Sequence, residues 1–389
     1  MWEGIAMSNR IRIIIGGDIV PTKSNSDYFE KGDIEKIVDP ALLNLLHNAD
    51  FRIFNLETPI CDCEQPIKKE GPCFRASKAT INGLKKLEPN LFTLANNHIL
   101  DQGTKGLQET ISTLNKHGIA HVGAGSKDEA NIAYYLSIKD MVVGVYGCAE
   151  HEFTVATSTT PGANPFEPLD TPDSIREIKK KCDILIVLYH GGKEYYEYPS
   201  PELQKRCRKM VDCGADIIIC QHSHCVGTFE YYSNRKILYG QGNFLLDSYV
   251  KAYDQFFQTS VMVELIIDHN GIEWKFIPLK KDGRGIRLAN ENESNSILTG
   301  LNSRSKKIIE RGFVEQHYRE YVKKVASRYI VRLSRFGYIL SSLDNRFFGG
   351  KLLNHNLKKY MGIHHRLALL NCLQCEVHNE IIRTYLNSV

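Results

Sequence analysis

The stretch from Leu188 to Phe244 constrains this chain more than any other. It is built from apolar runs that break off in polar turns. Ile184 to Tyr189 runs into His190-Gly191-Gly192-Lys193-Glu194. Asp216 to Cys220 runs into Gln221-His222-Ser223-His224, and Gly240-Gln241-Gly242-Asn243-Phe244 closes the stretch. Apolar runs without polar alternation read as strands buried on both faces, as in the middle layers of an α/β fold. Ligands bind outside the carboxyl ends of such strands. Three histidines therefore arise where two neighbouring strands stop. Grouped imidazoles are a normal way to hold a divalent transition metal. His222 and His224, two apart on an extended segment, are expected to point the same way.

The first half of the chain repeats the pattern. Arg12 to Gly17 reads as a strand delivering Asp18, and Asp50 to Phe54 as one delivering Asn55-Leu56-Glu57-Thr58-Pro59. Leu91 to Ala95 leads to Asn96-Asn97-His98-Ile99-Leu100-Asp101-Gln102-Gly103. Tyr134 to Ile138 and Met141 to Tyr146 are two further strands. Helices are expected within Asn25 to Leu46 and over Ser77 to Leu87, with Ser77 as a cap. Others are Thr104 to His117, Thr171 to Lys181 with Thr171 or Asp173 near its cap, and Pro201 to Cys213. Strand and helix in alternation argue for a layered α/β domain. From Thr228 to Pro278 strands follow without long helices, and Asn270-Gly271 signals a hairpin. Cys61 to Phe74 reads as an excursion, a lid or substrate loop, and Ala149 to Leu169 as a long surface loop. These two and Tyr249 to Gln258 are expected to shape the pocket.

Six strand ends thus supply Asp18, Glu57, Asn97 with His98, His190, His222 with His224, and Asn243. Carboxylate, amide and imidazole together suit two adjacent divalent metals such as Mn, Fe or Zn. One carboxylate would bridge them and a bridging water would be the nucleophile. Such a centre clamps both oxygens of an in-line displacement at phosphorus.

From Ile13 to Asp247 the chain resembles the bacterial capsule synthesis CapA family, a branch of the calcineurin-like metallophosphatase superfamily. The residues that carry the likeness are Gly17-Asp18, Asn55 to Pro59, Ala95 to Gly103, His190 to Tyr195 with Pro199 and Gln204, Asp212 to Asp216, Gln221 to His224 and Gly242-Asn243-Phe244. The resemblance implies a four-layer α/β/β/α sandwich with a dinuclear site between the sheets. By position it implies Asp18 and His224 on one metal, Asn97, His190 and His222 on the other, and Glu57 between them. It implies His98 as general acid, with Asp101 orienting it. Asn55, Asn96, Glu194 and Asn243 are candidates for supporting or substrate-binding roles. The wider superfamily places a His two residues after the first Asp, where Val20 stands here, and Gly-Asp-x-x-Asp where Asn55-Leu56-Glu57 stands. The implied function is a metal-dependent phosphoesterase in the synthesis of capsular or other surface polymer. Two alternatives stay open: a non-catalytic accessory or scaffold subunit of a polymer-synthesis complex, and a metal-dependent amidase on a γ-glutamyl polymer.

With 389 residues, 42% apolar and 24% charged, the chain is globular and long enough for more than one domain. No apolar run approaches the ~20 residues a membrane span needs. No signal peptide is read at the start, so a cytoplasmic protein is expected, with the periphery of the membrane's inner face as an option. Eleven cysteines then read as reduced thiols. Cys61-x-Cys63 and Cys372-x-x-Cys375 are metal or redox pairs in form, but neither has a second pair to match it. From Leu301 onwards there are 16 Lys and Arg against 6 Asp and Glu, on an otherwise acidic chain. Such a tail points to an anionic polymer substrate, a polymer-synthesis partner, a membrane surface or the body itself. Nucleic acid is not expected, since no binding module is present. The expected division is a metallophosphatase-like domain over 8–288, a polar linker over 289–302, and a basic helical extension over 303–389.

Overall fold

A computed structural model describes residues 10–332, apart from 70, 247–254 and 269–270, and a few isolated positions beyond 332. The chain first lays down four parallel strands, β1 (Ile11–Ile19), β2 (Phe51–Leu56), β3 (Leu91–Thr93) and β4 (Ala120–Val122). A two-residue ladder follows, β5 (Ala124–Gly125) against the later β8 (Gly162–Ala163). A second sheet holds β6 (Tyr134–Ile138), β7 (Met141–Ala149), β9 (Ile184–His190), β10 (Ile217–Gln221), β11 (Phe229–Tyr232) and β12 (Arg235–Leu238). Its order is β11-β12-β10-β9-β7-β6, parallel in the middle and antiparallel at both edges. The chain then returns to the first sheet. There β13 (Asn243–Leu245) runs parallel to β1, and β14 (Thr259–Asp268), β15 (Gly271–Asp282) and β16 (Gly285–Leu288) extend it antiparallel.

Three apolar cores separate four layers. Ile13, Ile15 and Ile53 of the first sheet meet Val145, Ile186, Leu188 and Ile219 of the second. The other face of the first sheet, with Ile14, Phe54 and Phe92, is covered by Phe29, Leu42, Leu107 and Leu114 from helices. The other face of the second, with Tyr146, Val187 and Ile218, is covered by Ile175, Leu203 and Met210. This is the α/β/β/α sandwich, and it explains the missing polar alternation. All seven residues of β9 are buried because each face meets a different core.

Several expectations need correction. Ser77 does not cap its segment: its hydroxyl donates to Glu30 Oε1 at 2.7 Å, and residues 78–87 form short 3-10 and α turns. The helix expected from Thr171 starts at Asp170, and Thr171 Oγ1 instead accepts from the Glu167 amide at 2.9 Å. The polar stretch after Leu288 is not a linker. Asn290 and Glu293 form a capping box that starts a helix over Glu291–Ile308. Leu301 of that helix is fully buried in the core between the sheets, and Arg304 Nη2 donates to the Val226 carbonyl at 2.7 Å. The helix is polar in sequence because most of it faces solvent.

The helix expected over Ser303 to Arg335 is instead two, Glu291–Ile308 and Phe313–Arg332. A separate compact unit spans Glu315–Val389. The helix expected over Lys351 to Leu386, the Cys372/Cys375 pair and the turn residue Asn270 lie outside the described residues. Nine cysteines are described and all are free thiols. Among the described residues no helix is long and apolar enough to cross a membrane.

Candidate metal centre

Asp18, next to last in β1, lies opposite Asn55 on β2 and Asn243 on β13. Gly17 makes this possible: a Cβ there would sit 2.2 Å from the Gly242 carbonyl oxygen, so only glycine lets β13 come this close. Across the interface, His190 ends β9 in register with Gln221 of β10 and Ala149 of β7. Gln221 Nε2 donates to the Gly16 carbonyl at 3.2 Å, which joins the two sheets beside the site. His222 and His224 follow β10, but not in extended form. Their φ angles are +92° and +54°, so a left-handed turn, not strand alternation, places them. Such backbone costs about 1–3 kcal/mol per residue and gathers at functional sites. The two rings still lie near each other, with centroids 6.0 Å apart.

The donor atoms converge in two groups. Glu57, His190 and His222 offer atoms within 4.8 Å of one another, and so do Asp18, Glu57 and His224. Glu57 belongs to both. Asn97 joins the first group, its Oδ1 lying 3.0 Å from His190 Nε2. Glu57 is 1% exposed and neither of its oxygens has a hydrogen-bond donor among the described residues. A buried carboxylate without donors is costly, and a cation is a partner this donor set fits.

Supporting amides surround the donors. Asn55 Nδ2 donates to Asp18 Oδ1 at 2.7 Å and lies 3.2 Å from His190 Nδ1. Asn96 Nδ2 donates to Asn55 Oδ1 at 3.0 Å and to the Leu56 carbonyl at 2.8 Å. Asn243 Oδ1 lies 2.8 Å from His224 Nδ1, and Asp18 Oδ2 is 3.6 Å from the same nitrogen. Val20 is buried and its amide donates to Leu245. It contributes no donor side chain.

The electrostatics follow from burial and sign. Burial, then the neighbouring Asp18 charge, pushes the Glu57 carboxyl well above its ordinary range. Burial pushes His190 down to about 4 and His222 well below the usual imidazole range. Both are therefore neutral near pH 7, the form that ligates a metal. Burial works against a charge on His224 too, but the Glu57 and Asp18 carboxylates outweigh it and its pKa rises. Glu194, half-buried, adds to that field without a ligating position in either group.

Three residues escaped the sequence reading. Glu150 and Glu152 were placed on a surface loop, yet they form a third group with His222, whose Nε2 is 3.7 Å from Glu150 Oε1 and 3.9 Å from Glu152 Oε1. Burial pushes the Glu150 carboxyl up to about 7, although its Oε2 accepts from the Gly192 amide at 3.0 Å. Glu150 directly follows β7, so the strand-end rule applied to its neighbours would have found it. That loop is a surface feature only in part: Phe153 and Leu169 are exposed, while Thr154, Asn164 and Phe166 are buried. The third residue is Lys69.

His98 stands beside the metal donors. Its Nδ1 lies 2.6 Å from Asp101 Oδ2, and Asp101 is completely buried. Its backbone amide donates to Asn96 Oδ1 at 3.1 Å. Burial lowers the basicity of the ring, opposed by the Asp101 carboxylate. The excursion of residues 61–74 is anchored here. The Ile67 amide donates to the Asp101 carbonyl at 3.0 Å, and the Phe74 amide to Asp101 Oδ2 at 2.6 Å. The Phe74 ring lies against His98, centroids 4.2 Å apart. Lys69 Nζ, on a side chain 3% exposed, ion-pairs with Asp101 Oδ1.

Several known proteins are similar to this chain. Residues 12–248 match the family model described as bacterial capsule synthesis protein PGA_cap. "Capsule biosynthesis protein CapA" of Bacillus anthracis is 32% identical over 213 residues, 52% of this chain and 52% of that protein. The match thus spans about half the length of that relative. "PGA biosynthesis protein CapA" of Bacillus subtilis is 27% identical over 261 residues, 64% of this chain and 68% of the relative. A "probable polyglutamine synthesis accessory protein" of Mycobacterium tuberculosis is 26% identical over 274 residues, 65% and 72% of the two chains. With the family model covering well over half of its length, this chain belongs to the bacterial capsule synthesis protein PGA_cap family.

Proposed function

We propose that this chain is a metal-dependent phosphoesterase-type hydrolase acting in the synthesis of capsular or other surface polymer, polysaccharide or polyglutamate. The observation that carries the reading is Glu57, a buried carboxylate without donors that belongs to two donor groups at once. Asp18 and His224 would hold one divalent metal and Asn97, His190 and His222 the other, with Glu57 shared by the two groups. The metals, Mn, Fe or Zn, supply Lewis-acid polarisation of a phosphoryl group and lower the pKa of water. Asn55, Asn96 and Asn243 fix the orientation of the ligating groups, and Glu194 adds negative charge beside them.

His98 acts as the general acid. Asp101 holds its Nδ1, so Nε2 is the nitrogen that meets the leaving oxygen. As the phosphorus–oxygen bond breaks, its electron pair stays with the leaving oxygen and takes the Nε2 proton. Water forms the new bond to phosphorus and releases its own proton to solvent. The relatives' names supply the polymer context, and the basic residues beyond Leu301 suit contact with an anionic polymer, a synthesis partner or a membrane surface.

The test is metal content per chain by elemental mass spectrometry, with His222→Ala alongside, followed by a phosphoester screen. About two metals and turnover support the reading. A chain that takes up no metal would sink it. A second reading then applies, that of an accessory subunit, favoured by the name of the mycobacterial relative and by Val20 standing where a donor is expected. A metal-loaded chain that cleaves a γ-glutamyl amide and no phosphoester would favour the amidase instead.

A further inference from the structure

The side chain of Lys69 has no role in the chemistry described so far, yet it is as buried as the donors themselves. It comes from the excursion of residues 61–74 and reaches into the base of the His98–Asp101 pair. Its Nζ ion-pairs with Asp101 Oδ1, donates to the Asn97 carbonyl at 3.1 Å, and lies 3.2 Å from His98 Nδ1. Asp101 is thereby held on every side. Oδ1 takes Lys69, Oδ2 takes the Phe74 amide and His98, and the main-chain carbonyl takes the Ile67 amide. The ammonium thus donates to the backbone of a metal ligand and places its charge against the carboxylate that orients the acid. A buried lysine is expensive to keep unless its charge is paired. A fold needing only to fasten the loop has the Phe74 and Ile67 amides for that purpose.

We propose that Lys69 is a positioning residue for His98, fixing the rotation of the Asp101 carboxylate and the Asn97 carbonyl so that His98 Nε2 is aimed at the leaving oxygen. This rests on the phosphoesterase reading and deepens it. Lys69 does not touch substrate. Its effect passes through the proton that moves from Nε2 to the leaving oxygen as the phosphorus–oxygen bond breaks.

The prediction separates substrates by leaving group. A 4-nitrophenyl ester departs without protonation, whereas an alkyl ester needs the acid. Lys69→Met keeps the length of the side chain and removes the charge. In the full chain it is expected to cleave the nitrophenyl ester near the wild-type rate and to lose ~10-fold or more on the alkyl ester. His98→Ala is expected to lose at least as much on the alkyl ester. Equal loss on both esters, or no loss on either, would overturn the proposal, because a merely structural lysine would not discriminate leaving groups. A second readout needs no turnover. With histidines labelled in nitrogen-15 and any bound metal exchanged for zinc, the His98 Nδ1–H resonance is identified by its absence in His98→Ala. It should shift or vanish in Lys69→Met, and an unchanged resonance overturns the proposal. If wild type holds metal and cleaves neither ester, the phosphoesterase reading fails, and this resonance alone decides the placement of Lys69.

Discussion

Nε2 of His190 lies 3.1 Å from Nδ1 of His222 and 3.3 Å from Oε1 of Glu57. Two imidazole nitrogens this close share either a proton or a cation. Burial lowers the basicity of both rings, which disfavours two charged imidazoles. The sharing of Glu57 by two donor groups makes a graded prediction. Wild type should hold about two metals per chain, and His224→Ala about one. Glu57→Ala should lose more than His224→Ala. Elemental analysis of the three proteins, purified alike, checks the order.

Chelation should lower the melting temperature. Ligands that bind only the folded state stabilise it by mass action, about 2.7 kcal/mol when free metal exceeds its Kd 100-fold. Calorimetry before and after chelator treatment should give a downward shift that Asp18→Ala no longer displays in full. Equal melting temperatures in all samples would argue against resident metal.

His98→Ala should keep its metal and lose activity. A positioned general acid contributes about 10²–10⁴-fold, so kcat on an alkyl phosphodiester should fall by that factor. Metal content, measured on the same samples, separates this from collapse of the centre.

The helix Glu291–Ile308 should behave as part of the folded body. Leu301 is fully buried, whereas Ile309, just past its end, is 65% exposed. Leu301→Ala should cost about 2–5 kcal/mol in urea denaturation, and Ile309→Ala within about 0.5 kcal/mol. A small loss for both would return residues 289–302 to the status of a linker.

The same helix carries a pH signature. The Arg287 guanidinium, then the Asn290 amide, pull the Glu293 carboxyl down to about 2. A carboxyl with a lowered folded-state pKa adds stability above its ordinary pKa, and that contribution fades as pH falls towards the folded value. Glu293→Gln should therefore melt lower than wild type at pH 6, with the gap narrowing between pH 4 and pH 3. A gap that is constant with pH would place the effect in the capping geometry alone.

The sandwich and most of the donors were legible because the strands carry little ambiguity. In β9 and β10 every residue is buried, and the polar residues begin where the strands stop. Asp18, Glu57, Asn97, His190, His222 and His224 all follow that rule. The turn after β10 was legible in outcome but not in cause, since positive φ at His222 and His224 has no signature in two histidines around a serine. Lys69 was hidden because a lysine between Lys68 and Glu70 looks solvated, and its partners, the Asn97 carbonyl and the Asp101 carboxylate, lie about 30 positions later in the chain. The helix from Glu291 was hidden because it shows few apolar residues, with Leu301 and Ile308 carrying its burial.

The donors are divided between the two sheets, with Asp18, Glu57 and Asn97 brought by the first and His190, His222 and His224 by the second. Neither sheet alone owns a complete coordination sphere. An ion held there is therefore a gauge of how the sandwich halves mate. Loosening the hydrophobic seam at Val263 or Ile186, remote in chemistry from any donor, should weaken metal retention without removing one ligand. Such a centre would in this sense be a property of the mated sheets, its affinity integrating packing quality over the whole interface.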